Sequence, residues 1–224
     1  MRLLKTVASI FSIILIFSTT ITAKETNSTK SADKNVSSAK KSKQEEYPKF
    51  TLKDVNGNSY EIQAVKWGLT FPSLKDKKAV AVLMFGEHCP PCLKEIPDLI
   101  EMKKKYKKEF EILALQVQKG MDEKALKEFG KKHNINYPLF KGRNFMEFIY
   151  YFARKSGWPG SVPYMIIFDK YGHVKFSNLG YTEKEALEMG IKDAIKSSET
   201  KLNEKDKKSE KNSTDKIKID LNKK

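Results

Sequence analysis

The chain has 224 residues, of which 39% are hydrophobic and 32% charged, and its formal net charge is +15. This length suits one domain with additional segments and is too short for two well-filled cores. Lysines are interleaved with Asp and Glu rather than gathered in one arm, which argues against a nucleic-acid binder and indicates no nucleic-acid partner. Two cysteines exclude a disulfide-rich scaffold and a zinc site made of cysteines alone.

The N-terminal segment has the pattern of an export signal. Arg2 and Lys5 precede residues 6–23, which carry no charge, contain an apolar run and end in the small residue Ala23. This pattern predicts a signal peptide over residues 1–23, with an uncleaved membrane anchor as the alternative. In both cases the rest of the chain is expected outside the cytoplasmic membrane, because the positive charges precede the apolar run.

Two further segments are polar and differ in composition from the middle of the chain. Residues 24–46 and 198–224 are rich in Lys, Ser, Thr, Asn and Glu and poor in apolar residues. We expect the first to be a disordered linker and the second a disordered basic tail. The folded unit is therefore predicted over residues 47–197, which is the usual size of one domain.

Predicted strands and helices alternate within this unit. The apolar run Ala79–Phe85 predicts a strand that is buried on both faces of a sheet. Turn signals at residues 56–58 and 170–172 each predict a β-hairpin, and Thr182 is predicted to cap the last helix. The predicted strands are Phe50–Leu52, Ser59–Ile62, Ala79–Phe85, Glu111–Gln118, Tyr164–Asp169 and Val174–Ser177, and the predicted helices are Pro90–Lys108, Asp122–His133, Asn144–Lys155 and Thr182–Lys196. This order predicts an α/β fold with a mixed sheet and helices on both of its faces.

Both cysteines lie in one motif, Cys89-Pro90-Pro91-Cys92, which follows the apolar strand and opens a long helix. Two intervening residues on a first helical turn let the sulfurs close a small ring. Cys89 then lies at the positive end of the helix dipole, beside amide N–H groups without intrahelical partners, and both effects favour its thiolate. A protonated His88 would add to this effect; the alternative is that His88 is a partly exposed spacer. The motif predicts a disulfide oxidoreductase.

The chain resembles the thioredoxin superfamily, and within it the extracytoplasmic TlpA/ResA/DsbE-like thiol–disulfide oxidoreductases. The resemblance covers nearly all of residues 47–197. It is carried by the hairpin at residues 48–58, the loop Phe85-Gly86-Glu87-His88-Cys89-Pro90-Pro91-Cys92, its continuation Leu93-Lys94-Glu95-Ile96-Pro97, and the loop Gly160-Ser161-Val162-Pro163 with the strand after it. A C-x-x-C motif after a buried strand, with such a proline loop about 70 residues later, is a specific combination. It implies a thioredoxin fold with an N-terminal β-hairpin extension.

The resemblance implies roles for residues beyond the two cysteines. Pro163 is expected in a cis peptide bond against the C-x-x-C motif, with the backbone of Val162 pairing with an extended substrate segment. Glu95 lies one helical turn after Cys92 and is implied to exchange a proton with this second thiol. The alternative for Glu95 is a solvent-facing position on the helix.

Two positions depart from the family's pattern. His88 stands where Trp is usual, and Leu83 stands where many members have a buried Asp or an Asn. The loss of a polar group at position 83 leaves more of the proton transfer to Glu95. Among the aromatic residues most are predicted to be core, and Trp158 is the best candidate for an exposed substrate-groove residue because it lies in a predicted loop.

The implied activity is thiol–disulfide exchange without a cofactor or a bound metal. Cys89 attacks a substrate disulfide, a mixed disulfide forms, and Cys92 releases the reduced product. The resemblance favours a reductant of exported proteins, such as oxidised apocytochrome c, with a membrane thiol–disulfide relay as electron source. An oxidant of secreted-protein thiols is the alternative, because the reduction potential sets the direction of exchange.

A third interpretation belongs to a different class of protein. Soft thiolates select Cu(I), so Cys89, Cys92 and His173 would be the ligands of a copper-binding thioredoxin-fold chaperone. The position of His173 in a predicted hairpin turn argues against this interpretation. Association of the protein with the membrane through its N-terminal segment is left open.

Overall fold

The structure, a computed structural model, describes residues 46–200. The predicted signal peptide, most of the predicted linker and residues 201–224 of the predicted tail lie outside this range. Within it, the chain forms a central mixed sheet flanked by helices, together with a smaller antiparallel sheet, which confirms the predicted fold class. None of the helices in residues 46–200 combines the length and apolar composition that a membrane crossing requires.

The smaller sheet comes first in the chain and is antiparallel. It contains β1 (Lys49–Lys53), β2 (Ser59–Val65) and β3 (Gly68–Thr70), in that spatial order. β1 and β2 form the predicted hairpin, in which Phe50 pairs with Ile62. β3 was not predicted, because a strand of three residues gives almost no periodic signal.

The central sheet has five strands in the order β6-β5-β4-β7-β8. They are β4 (Ala79–Phe85), β5 (Phe110–Gln116), β6 (Leu139–Lys141), β7 (Tyr164–Asp169) and β8 (Val174–Leu179). β4, β5 and β6 are parallel, whereas β7 runs antiparallel to β4 and forms the predicted hairpin with β8. β4 is thus the middle strand, and all seven of its residues are buried, as the apolar run predicted.

Within residues 46–200, four α-helices connect and cover these strands. They are α1 (Pro90–Lys105), α2 (Glu123–Lys132), α3 (Met146–Ser156) and α4 (residues 184–200), with short 3-10 helices at Pro72–Leu74 and Gly142–Phe145. α1 ends three residues earlier than predicted, because the backbone of Tyr106 leaves the helical conformation (φ −103°, ψ 28°) and its carbonyl accepts from the Glu109 and Phe110 N–H groups as the chain turns into β5. Asp122 caps α2 as predicted, by accepting a hydrogen bond of 2.7 Å from the Ala125 N–H.

Two apolar clusters lie on opposite faces of the central sheet. One face of β4 and β7 packs against α3 and the smaller sheet, and Val82, Phe148 and Ile166 belong to this cluster. The other face packs against α1 and α4, and its cluster contains Leu83 together with both cysteines and Leu187. Alternation along β4 therefore sends successive residues to two different cores.

The last helix differs from its predicted bounds at both ends. α4 begins at residue 184, so Thr182 precedes the cap position and its backbone N–H donates elsewhere, as described below. At the other end, the helix continues past the predicted boundary at residue 197, to residue 200. Ser198 is fully buried; its hydroxyl donates to the Lys78 carbonyl at 2.7 Å and accepts from the Lys170 N–H at 3.0 Å. The polar composition of this segment concealed these contacts.

Candidate active site

The two cysteines lie where the middle strand of the sheet gives way to a helix. Three residues separate β4 from Cys89, which occupies the N-cap position of α1, and Pro90 and Pro91 form the first turn of that helix. Proline is compatible with a first helical turn, where its missing N–H has no intrahelical partner to lose. A disulfide joins Cys89 to Cys92, and the Cys92 N–H also points at the Cys89 sulfur at 3.3 Å. A backbone donor is thus directed at the first sulfur of the motif.

The disulfide is enclosed but lies close to the surface. Cys89 is 5% exposed and Cys92 is 3% exposed. His88 and Pro90 are exposed on either side of Cys89, and Leu93, one turn further along the same helix face, is partly exposed as well. A partner therefore reaches the sulfurs from the side of Cys89.

The proline loop faces the disulfide, as the resemblance implied. The peptide bond between Val162 and Pro163 is cis. The Val162 carbonyl oxygen lies 3.5 Å from the Cys89 sulfur, although 73 residues separate them in the chain. The structure thus brings together Cys89, Cys92, His88, Val162 and Pro163 at one end of the central sheet.

Glu95 points into the protein rather than into solvent. The residue is 2% exposed, and its Oε1 atom accepts a hydrogen bond from the Thr182 backbone N–H. Its Oε2 atom is buried without a hydrogen-bond partner in residues 46–200. Burial raises the pKa of Glu95 to about 7; the bonds from Thr182 oppose this, and the nearby charge of Asp98 adds to it. Glu95 is therefore poised to gain or lose a proton near neutral pH.

The surroundings of Glu95 and Cys92 are largely apolar. Leu83 is buried in the same cluster as both cysteines, so the strand offers no polar side chain at this position. Tyr137, which precedes β6, is also buried there; burial raises its pKa above the usual range, and the charge of Glu95 adds to that effect. Glu95 is thus an acidic side chain in largely apolar surroundings.

The group that holds the loop before Cys89 was not predicted. Gln116 is fully buried and donates to the carboxylate of Glu87, which is also buried, and to the Gln118 carbonyl at 3.0 Å. The Gln118 side chain accepts from the His88 N–H at 3.1 Å. A Cβ at Gly86 would lie 2.2 Å from the Gln118 side chain, so a larger residue there would displace Gln118. Two glutamines at the end of an apolar strand are the feature of the sequence that could have indicated this group.

The exposure predicted for Trp158 is wrong. Trp158 is 9% exposed; its indole N–H donates to the Ser161 carbonyl, and its ring stacks on Tyr164 with centroids 6.3 Å apart. These contacts fix the start of the proline loop and bury the ring. The exposed tryptophan is Trp67, which is 56% exposed in the turn between β2 and β3.

The copper-site interpretation with His173 is also wrong. His173 lies in the β7–β8 turn, where its N–H donates to Asp169 at 2.9 Å and its ring stacks on Trp67. The length of β7, about 20 Å, separates this turn from Pro163 and the cysteines. Among residues 46–200, no three His, Cys, Asp or Glu side chains are placed to hold a metal ion together.

Enzymes that exchange dithiols with disulfides carry their redox pair on a first helical turn, and a thioredoxin-like sheet and helices support that turn here. The fold and the site thus define a thioredoxin-fold thiol–disulfide oxidoreductase. Residues 44–177 match the AhpC/TSA family, and the chain belongs to this thioredoxin-like family.

Named relatives agree with this class. The chain is 30% identical over 144 residues to a thiol-disulfide oxidoreductase ResA of Bacillus cereus, covering 64% of this chain and 73% of the relative. It is 27% identical over 142 residues to ResA of Geobacillus kaustophilus, covering 63% and 71%. A thiol:disulfide interchange protein of the thioredoxin family from Chlorobium tepidum TLS has a similar structure, with a TM-score of 0.54 and 24% identity over 66% of this chain and 94% of that one. The protein is an enzyme of the thiol–disulfide oxidoreductase type.

Proposed function

We propose that the protein reduces disulfide bonds of exported proteins outside the cytoplasmic membrane, with Cys89 as nucleophile and Cys92 as resolving thiol. The observation that carries this proposal is the position of Cys89. It caps the N-terminus of α1, where a backbone N–H points at its sulfur, and it lies between the exposed residues His88 and Pro90. Both features favour a reactive thiolate at this position.

The reaction proceeds in two exchanges. The Cys89 thiolate attacks one sulfur of the substrate disulfide; that S–S bond breaks, a mixed disulfide forms, and the other substrate sulfur leaves as a thiolate. The Cys92 sulfur, after losing its proton, then attacks Cys89 and releases the second substrate thiolate. Two electrons pass to the substrate, which takes up two protons. The protein ends with the Cys89–Cys92 disulfide that the structure shows.

Glu95 takes the proton of Cys92 in this scheme. Three observations support the role: the carboxyl is buried one helical turn after Cys92, its Oε2 atom has no hydrogen-bond partner among the described residues, and its pKa is raised to about 7. A base with a pKa near the working pH is well matched to proton transfer. Leu83 offers no alternative acceptor on the strand side.

Substrate binding is assigned to the edge of the proline loop. Val162 is half-buried and its carbonyl faces the Cys89 sulfur, so an extended substrate segment that pairs with the Val162 backbone brings its own disulfide to Cys89. Pro163 follows Val162 in this loop, and the exposed His88 lies next to Cys89. Backbone pairing reads chain shape more than sequence, which suits an enzyme acting on several exported proteins, oxidised apocytochrome c among them.

The N-terminal segment and the relatives support the proposed setting outside the cytoplasmic membrane. Residues 1–23 have the composition of a signal peptide or membrane anchor, and proteins named ResA are among the relatives found. The spent disulfide is returned to the dithiol by a membrane thiol–disulfide relay protein, since two cysteines alone provide no source of electrons for a second cycle.

A trapping experiment tests the assignment of the two cysteines. In cells that export the protein, Cys92→Ser leaves Cys89 free to attack but removes the group that resolves the adduct, so mixed disulfides with client proteins accumulate. Cys89→Ser is the matched control and forms few adducts. Non-reducing electrophoresis reads out both variants. Equal trapping by the two variants, or none by Cys92→Ser, contradicts the assignment.

The direction of exchange is decided by a separate measurement. Equilibration of the purified protein with glutathione buffers gives the reduction potential of the Cys89–Cys92 pair. A reductant is expected near the potential of thioredoxin, about −270 mV, whereas a value near that of a strong oxidant, about −120 mV, contradicts the proposal.

A further inference from the structure

The side chain of Asn178 makes hydrogen bonds to the segment that contacts the buried carboxyl of Glu95. Asn178, near the end of β8, is half-buried and pairs with Met165 of β7. Its amide nitrogen, whose two hydrogens are shared among three acceptors, lies 2.9 Å from the Gly180 carbonyl, 3.1 Å from the Tyr181 carbonyl and 3.2 Å from the Thr182 hydroxyl. A single side chain therefore bonds three successive residues of the connection between β8 and α4.

That connection contacts the active site at two separate points. The Gly180 N–H donates to the Pro163 carbonyl at 2.8 Å, and the Thr182 N–H donates to Glu95. Between them, the ring of Tyr181 lies 3.7 Å from the Lys94 ammonium group on α1. The segment thus spans from the proline loop to the first turns of α1, and its backbone directions decide where both N–H groups point.

The backbone of this segment needs an external constraint. Gly180 has a φ of +95°, a conformation outside the regular helical and strand regions. The segment precedes α4, so neither the sheet nor the helix fixes all of its backbone groups. The amide of Asn178 supplies donors to two of its carbonyls. Without that amide, both carbonyls lose a partner and the direction of the Thr182 N–H is no longer set.

We propose that Asn178 is a positioning residue for the active site, acting through the 180–182 segment to hold the Thr182 N–H on Glu95. The kinetic part of this inference rests on the proposed role of Glu95. Its structural part, the orientation of the Glu95 carboxyl, does not. Thr182 is the hydrogen-bond partner of Glu95 within residues 46–200, so whatever orients Thr182 orients the carboxyl.

Replacement of Asn178 is expected to change the pKa of Glu95, which a titration measures. The bond from Thr182 stabilises the charged carboxylate and so lowers the pKa of Glu95, whereas burial raises it. Loss of this bond therefore raises the pKa of Glu95 further. The other groups that face Glu95 are Asp98 on its own helix and Tyr137 before β6, with Cys92 one turn earlier. These groups stay in place when Asn178 is replaced.

The experiment compares three variants of the full chain. Asn178→Ala and Asn178→Leu remove the amide, the second with little change in volume, and Ser177→Ala is the control on the adjacent, exposed position of β8. The titration of the Glu95 carboxyl is followed by carbon-13 NMR in the oxidised protein. Both Asn178 variants are expected to move its midpoint upward by about 1 pH unit, whereas Ser177→Ala leaves it in place.

Kinetic measurements on the same variants complete the test. The pH midpoint for reduction of a model disulfide is expected to rise with the NMR midpoint, while alkylation of Cys89 by iodoacetamide keeps the wild-type rate. In a Glu95→Gln background, Asn178→Ala changes the rate of disulfide reduction less than about twofold, because coupled residues are not additive.

Two results separate the inferences. If the Glu95 midpoint stays at the wild-type value in both Asn178 variants, Asn178 does not position the carboxyl and the inference is overturned. If Glu95→Gln reduces the model disulfide at the wild-type rate, the proposed role of Glu95 fails, and the NMR comparison still decides whether Asn178 orients the carboxyl.

Discussion

The buried carboxyl of Glu95 makes the stability of the oxidised protein depend on pH. The folded protein holds this proton more tightly than the unfolded chain, because the pKa is about 7 in the fold against an ordinary value of 4.5. The stabilising contribution of this group is therefore fully present and constant below about pH 4.5. It decreases as the pH rises between the two pKa values and is lost above about pH 7.

The magnitude follows from the same two pKa values. Moving a carboxyl pKa from 4.5 to about 7 corresponds to a free energy on the order of 3 kcal/mol, at about 1.4 kcal/mol per pH unit. Glu95→Gln removes this titration. Its amide N–H group would lie where Oε2 has no hydrogen-bond partner. Burial of this unpaired donor should lower the free energy of unfolding by about 1–3 kcal/mol at every pH. The variant should thus be less stable than the wild type near pH 4.5. Because only the wild type loses stability as Glu95 ionises, the difference in unfolding free energy should shift by about 3 kcal/mol in favour of the variant towards pH 8.

Guanidinium unfolding of the oxidised protein at several pH values between 4.5 and 8 measures this difference. The disulfide keeps both sulfurs from titrating, and subtraction of the two proteins removes the contributions of other acids. Glu147→Gln, at an exposed position of α3, is the control and should show no pH-dependent difference. A difference between Glu95→Gln and wild type that is constant to within about 0.5 kcal/mol across this range would refute the reasoning.

Two further predictions concern the supports of the fold and of the loop. A chain that ends at residue 197 should be about 2 kcal/mol less stable than one that ends at residue 200, because it loses the two buried hydrogen bonds of Ser198; equal unfolding midpoints would show that these bonds contribute nothing. Gly86→Ala should cost about 1–3 kcal/mol and slow disulfide reduction, because the new Cβ displaces Gln118 from the His88 N–H. Wild-type stability and rate in this variant would show that Gln118 does not hold the loop.

The central features of the fold were predictable because each has a local signal. The run Ala79–Phe85 is apolar at all seven positions, a composition that suits a strand buried on both faces. The position of Cys89 at a helix N-terminus was predictable from the two prolines, which are tolerated on a first helical turn. The turn signals at residues 56–58 and 170–172 likewise identified both hairpins.

The remaining features of the site depend on contacts between distant parts of the chain. Glu95 and Thr182 are separated by 87 residues, and Gln116 and Glu87 by 29, so no local pattern reports either pair. The loop position of Trp158 suggested exposure, yet a single hydrogen bond to Ser161 and stacking on Tyr164 bury the ring. Polar side chains are the ones that sequence patterns misplace here, because their burial depends on partners that only the fold supplies.

The course of α4 determines where a tether can be attached to this enzyme. The helix begins beside Glu95, and further along it Ser198 contacts Lys78, the residue before β4, so it crosses the sheet from the disulfide end to the opposite end. The length of β4, about 20 Å, separates the two ends. A fluorophore or surface linker placed at residue 200 would therefore leave the approach to Cys89 open, whereas the same group at residue 181 would stand at its entrance.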